Sequence, residues 1–253
     1  MKIIETHAHL DLPDFDGDRD QLIKQCRQEE IINIIDIGYN KETSENAIQL
    51  AEKYDFIYAT VGYHPHDSSD YQPDVIKQLA RHKKVVAIGE IGLDLFRNIS
   101  PIKTQKEVFE DQVILSLEYD LPVVIHDRDA HEDCYQLLKK HEVKNAVFHC
   151  FLGDLLFAEK LIREGWKMSF TGNITYTNST MQDVIREIPE DVFFVETDCP
   201  YLSPMPMRGK RNSPLNLYHV VEKIAEIRMQ TPKEIAEITT RNALKFFNIP
   251  AAK

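Results

Sequence analysis

Residues 2–12 read KIIETHAHLDL, and the choice of fold turns on them. The apolar run 2–6 reads as a strand, and an open doubly wound sheet would usually follow its first strand with a glycine-rich phosphate loop. Here the chain continues as THAHLDL, with no glycine. Alternate residues of a strand share a face, so His7 and His9 project from the strand's end in one direction and their imidazoles converge. Such a pair suits a metal ion; two ordinary polar residues at a strand end are the plainer reading of a lone His-x-His.

The pattern repeats outward from this stretch. Further strand-like runs lie at 32–38 (INIIDIG), 56–62 (FIYATVG), 85–92 (VVAIGEIG), 121–126 (LPVVIH), 145–150 (NAVFHC), 166–170 (WKMSF) and 192–197 (VFFVET). They are short, β-branched and apolar on both faces, as parallel strands buried under helices must be. Helical periodicity fills 18–30, 44–54, 74–82, 104–119, 131–141 and 155–165, and two more helices follow the eighth run at 215–228 and 231–247. The last opens with Thr231 as N-cap, Pro232 at the first helical position and Glu234 three residues on. No Pro/Gly/Ser-rich linker, low-complexity tract or repeat interrupts the alternation. Eight such units in 253 residues predict an α/β fold, one closed (β/α)₈ TIM-barrel domain over 1–253.

Composition narrows the setting. The chain is 43% hydrophobic and 28% charged, with mean hydropathy -0.36, which describes an ordinary globular protein with material for a large core. There is no membrane-length apolar run and no apolar leader with a small-residue cleavage site, so the reading is a soluble, unexported chain. Cys26, Cys134, Cys150 and Cys199 stand far apart without a CxxC pair, which fits neither a disulfide framework nor a zinc ribbon and suits a reducing cytoplasm. A net charge of -11 counts against broad adhesion to duplex nucleic acid but not against nucleic acid as a substrate. Bound divalent cations would neutralise several carboxylates, and MRGKR (207–211) sets three cations within five residues. That segment reads as a phosphate contact or as a solvated loop.

In a barrel of this kind the reactive groups come from the C-terminal ends of the strands. His7 and His9 end the first strand, His64 and His66 follow the third, and Glu90 lies on the fourth; His126 and His149 end the fifth and sixth, and Glu196 and Asp198 end the eighth. Each alone is a common strand-ending polar residue. Together, four histidines and two carboxylates at one rim suit two divalent ions with one carboxylate bridging and water completing the shells. Two ions sharing a water would supply hydroxide near neutral pH, and phosphodiester hydrolysis is the natural reaction.

The motifs that carry these residues resemble those of the TatD family of metal-dependent nucleases, within the amidohydrolase-type barrels. The resemblance spans essentially the whole chain: ETHAHLD (5–11), VGYHPH (61–66), IGEIGLD (88–94), PVVIHDR (122–128), FHCFLG (148–153), ETDCPYL (196–202) and RGKRNSP (208–214), in that order. It implies that His7, His9 and Asp198 hold one metal, that His126 and His149 hold the second, and that Glu90 bridges them. Glu90 on the fourth strand, with no lysine there, points away from phosphotriesterase-like relatives, which bridge with a carbamylated lysine. The resemblance also implies that His64 sits in the pocket, where it would bind the scissile phosphate, and that RGKRN lies in the substrate groove.

On these grounds Asp198 takes the proton of the attacking water or helps protonate the leaving oxygen, with Glu196 orienting it or a histidine ligand. His66 is a pocket or surface-loop residue. Arg128, Arg208, Lys210 and Arg211 are candidates for contacts to flanking phosphates, or are merely solvated. Asp94 reads as support for the site or as a helix cap, and Asp154 as the cap of the helix that follows it. Tyr63, Phe151, Tyr176 and Tyr201 could stack on splayed bases or pack over the mouth.

The expected function is a cytoplasmic deoxyribonuclease, a 3'-5' exonuclease on single-stranded or frayed DNA ends, acting as a monomer with no obligate protein partner. Its cofactors are two divalent ions: imidazoles favour zinc, manganese or iron, and the carboxylates and water admit magnesium. A D-aminoacyl-tRNA deacylase, lactonase or cyclic-amide hydrolase would use the same activated water. A non-catalytic metal-dependent binding protein fits less well, because structural sites are usually closed by protein ligands.

Overall fold

A computed structural model describes residues 1–250. Its eight strands are β1 (Ile3–Ala8), β2 (Ile31–Ile37), β3 (Ile57–Val61), β4 (Val85–Asp94), β5 (Val123–Arg128), β6 (Ala146–Phe148), β7 (Lys167–Phe170) and β8 (Phe193–Val195). They form one parallel sheet in sequence order. β8 returns to β1 through the parallel bridge between Ala8 and Cys199, and the Thr6 hydroxyl donates to Val195 O at 3.1 Å. The sheet is a TIM barrel, as the alternation of runs predicts. The intervening helices are α1 (Arg19–Gln28), α2 (Lys41–Lys53), α3 (Pro73–Leu79), α4 (Ile102–Glu118), α5 (His131–Lys140), α6 (Leu155–Glu164) and α7 (Met181–Glu187), with α8 (Leu217–Arg228) and α9 (Pro232–Phe246) after β8. No helix among the described residues is long and apolar enough to cross a membrane.

Local chemistry sets several boundaries. The Thr231 hydroxyl and the Glu234 side chain cap α9 reciprocally, and the Asp154 carboxylate accepts from Phe157 N at 2.8 Å to start α6. α7, two turns long, is too short for periodicity to stand out in the sequence.

The interior is layered. Val124, Val147 and Phe194 precede His126, His149 and Glu196 by two residues, so strand alternation stacks an apolar layer beneath the polar one. Ala243, Phe247 and Ile249, from α9 and the turn after it, pack into that same apolar cluster. Burying a Phe-sized side chain contributes about 1.5–3 kcal/mol, so this floor supports the polar mouth above it.

β4 runs two residues beyond its expected end and places Glu90 in mid-strand, not at a strand terminus. The cause is continued pairing with β5, where Gly92, Leu93 and Asp94 face His126, Asp127 and Arg128 after a register shift between Ile88 and Ile91. Gly92 makes this possible: its φ is 143°, and a Cβ there would lie 2.0 Å from His126 O. Gly92→Ala is therefore expected to lower unfolding free energy by about 2–4 kcal/mol, from overpacking and backbone strain together, as read by urea denaturation.

Candidate metal centre

The rim residues converge on Glu90. Its Oε2 lies 3.5 Å from His7 Nε2, while Oε1 lies 2.8 Å from both His126 Nδ1 and His149 Nε2 and 3.6 Å from His64 Nε2. Asp198 Oδ1 lies 3.4 Å from His9 Nε2 and 3.6 Å from His7 Nε2. Two groups able to hold a cation share this mouth, one of His7, His9 and Asp198 and one of His64, Glu90 and His126; a third pairs His7 and His149 with Glu196. His64 thus joins the donors around Glu90, a place beyond the phosphate contact expected of it.

The local fold aims these groups. His9 Nδ1 faces Ile37 O at 3.1 Å, which turns Nε2 toward Asp198. Just past His9, Leu10 N donates to the buried Asp36 carboxylate at 2.6 Å. Glu5, fully buried in β1, accepts from His7 N and Thr197 N, each at 3.0 Å, and so ties β1 to the segment that carries Asp198. Glu196 Oε1 accepts from Cys150 N at 2.7 Å and stands 3.6 Å from His149 Nδ1, behind the histidine and away from the open cavity. Asp94 faces His66 Nε2 at 2.8 Å and His126 Nε2 at 3.4 Å while accepting from Arg97 N at 2.7 Å, so one carboxylate steadies two histidines and the turn beyond β4.

Electrostatics suit a cation. Burial pushes the Glu90 carboxyl up, but His149, His64 and His126 outweigh it and hold the group well below the ordinary carboxylate range. Burial, reinforced by His149, lowers the His7 pKa and keeps its imidazole neutral, the form that binds metals. Both ring nitrogens of His7 are buried without a hydrogen-bond partner among the described residues. A buried polar atom left so is costly unless something absent from the chain satisfies it, and a divalent ion would do so for Nε2, the nitrogen that faces Glu90 and Asp198. The donor set therefore fits metal.

A cavity of about 610 Å³ opens above these residues, lined also by Tyr39, Arg97, Arg128, Leu152, Asn173 and Tyr201. Of the four basic candidates only Arg128 lines it. Arg211 is drawn to Asp18, with N···O distances of 2.8 and 2.6 Å, and Arg208 lies over the Tyr176 ring at 4.3 Å. Lys210 is exposed outside the cavity. In the same segment the buried Asn212 side chain donates to Thr197 O and Tyr201 O at 2.9 and 2.6 Å, fixing the loop around Asp198. Tyr63 and Phe151 are buried, whereas Tyr201 is exposed at the mouth.

The TatD related DNase family model matches residues 4–248. The chain belongs to that family. An uncharacterized metal-dependent hydrolase of Bacillus subtilis, YabD, is 42% identical over 98% of this chain and 99% of its own length. The 3'-5' ssDNA/RNA exonuclease TatD of Erwinia tasmaniensis is 35% identical over 98% and 100%. The crystal structure of the Escherichia coli TatD homologue YjjV superposes with a TM-score of 0.93 at 33% identity, over 98% of each chain. This protein is a metal-dependent hydrolase on the TatD barrel.

Several supporting residues went unnoticed in the sequence. Glu5 and Asp36 carried a usable signal, a charged residue inside a strand otherwise apolar on both faces, which must be paired or employed. Arg97, Tyr39 and Asn173 carried none. Stripping the protein with a chelator and restoring Zn²⁺ or Mn²⁺ at a hundred times its Kd is expected to stabilise the fold by about 2.7 kcal/mol. Thermal unfolding of parent and Asp198→Ala checks this, the variant showing a smaller rise in Tm at the same metal concentration.

Proposed function

We propose that this chain is a deoxyribonuclease that binds two divalent ions and degrades single-stranded or frayed DNA from its 3' end. The observation that carries the binuclear reading is Glu90, whose two oxygens face different histidines, Oε2 toward His7 and Oε1 toward His126 and His149. His7, His9 and Asp198 would hold one ion and His126 and His149 the other, with Glu90 between them. The similarity to the 3'-5' ssDNA/RNA exonuclease of Erwinia supports a nucleic-acid substrate and the 3'-5' polarity. Four free cysteines, three of them buried, suit a cytoplasmic setting.

Divalent ions held here would supply a water of lowered pKa and offset the charge gathering on a phosphoryl group. The chain's own groups do the rest. Asp198 borders the cavity; burial raises its pKa, but His9 and His7 outweigh this and keep it ionised, so a carboxylate oxygen can accept the proton of an attacking water. Glu196 keeps His149 in place from behind, a positioning role. His64 reaches the cavity beside Glu90, where it can bind a phosphate oxygen or a cation. Arg128 supplies a fixed positive charge at the lip for a flanking phosphate.

The test is a time course on 5'-end-labelled single-stranded DNA, with RNA of the same sequence beside it. Stepwise shortening that stops on chelation is expected, and Glu90→Ala should lower the rate about a hundredfold to a thousandfold. No cleavage by folded, metal-loaded protein, with turnover of an aminoacyl ester or lactone instead, would overturn the nuclease reading.

A further inference from the structure

Phe96 is out of place for a packed barrel. It follows the fully buried Asp94 by two residues, yet its side chain is 63% exposed. Burying a ring of that size stabilises a fold by about 1.5–3 kcal/mol, and here that gain is forgone. The ring is not loose: the Arg128 guanidinium lies 4.4 Å from its centroid and covers one face.

The neighbouring charges point to what meets the ring. Arg97 and Arg128 both line the cavity that contains Glu90 and Asp198. Neither guanidinium has a carboxylate within 4 Å or a hydrogen-bond acceptor among the described residues. Arg19, Arg27, Arg186 and Arg211 pair with aspartates and Arg163 with Glu159, whereas Arg208, outside the cavity, lies over Tyr176 with no carboxylate partner among the described residues, so it is the place of Arg97 and Arg128 at the cavity that sets them apart. Two unpaired arginines that line the cavity, one of them stacked on an exposed ring just outside it, match a ligand that alternates anionic groups with flat aromatic ones. The Asp94 carboxylate anchors the turn through Arg97 N, so the ring's position is tied to the histidines at the site.

We propose that Phe96, backed by Arg128, is a nucleobase-stacking platform that seats one base of the single strand whose phosphates enter the cavity past Arg97 and Arg128. Stacking of this kind tolerates any base, because each presents a π-face, and the guanidinium on the far side leaves its N–H edge for phosphate. β4 and β8 stand on opposite sides of an eight-stranded ring, so the exposed Tyr201 beyond β8 forms the other lip and the strand passes between them. This inference rests on the nuclease reading and adds the residue that grips the strand.

Steady-state kinetics on a short single-stranded oligonucleotide with the metal-loaded protein test it. Phe96→Ala and Phe96→Leu should each raise KM about tenfold with a smaller change in kcat, whereas Phe96→Trp should keep the parent KM. Trp166, the single tryptophan of the chain, is buried, so quenching of the Phe96→Trp fluorescence by the oligonucleotide reports stacking directly. If the parent cleaves DNA but Phe96→Ala keeps its KM within twofold, or Leu rescues as well as Trp, or the new tryptophan is not quenched, the platform is overturned and the nuclease reading stands. A parent that neither cleaves nor binds the oligonucleotide overturns both.

Discussion

A buried carboxylate surrounded by histidines is the constraint on which the mouth of this barrel depends. Glu90 sits 4% exposed in the middle of β4, and an ionised carboxylate taken from water loses several kcal/mol of solvation unless partners replace it. His7, His64, His126 and His149 are those partners, delivered by four different segments around the barrel. A cluster of this kind is not satisfied by its own members alone, since His7 Nε2 stands 3.5 Å from Glu90 and 3.6 Å from Asp198 without a hydrogen bond to either. The demand for a cation is thus built into the packing of the core.

A rear line of acidic groups keeps that cluster in shape. Glu5, Asp36, Asp94 and Glu196 each give a carboxylate oxygen to backbone N–H groups, and Asp94 and Glu196 also face imidazoles, around the histidine cluster. Burial raises the Glu5 pKa to about 8 even though Thr197 and His7 donate to it, and burial, reinforced by Asp11, pushes Asp36 up as well. Placing polar groups under a site destabilises the apolar interior locally, and the apolar layer of Val124, Val147 and Phe194 beneath offsets it. Rigid strands below and loops above leave the histidine and carboxylate cluster fixed while the loops are free to vary, which is how one barrel serves many chemistries.

The barrel was legible because each strand is an apolar run and all but one of the helices between them have clear periodicity, and the donor set because the barrel rule turns strand ends into a rim. Illegible features arise from contacts distant in sequence. Nothing in GEIGLD shows that Gly92 must take a positive φ to let β5 close in, so the length of β4 was missed. Arg211 looked as available as Arg128 until folding brought Asp18 beside it from across the chain. Tyr63 and Tyr201 are alike on the page, yet one is buried against Tyr71 and the other faces the mouth. Exposure is a property of the assembled surface, and Phe96 went unremarked for the same reason.

The most direct measurement is anomalous diffraction from crystals grown with Mn²⁺ or Zn²⁺, collected on either side of the metal's absorption edge. Two peaks are expected, one against His7, His9 and Asp198 and the other against His126 and His149, with a Glu90 oxygen reaching each. A single peak at saturating metal, or two peaks with Glu90 touching neither, would contradict the shared-carboxylate centre.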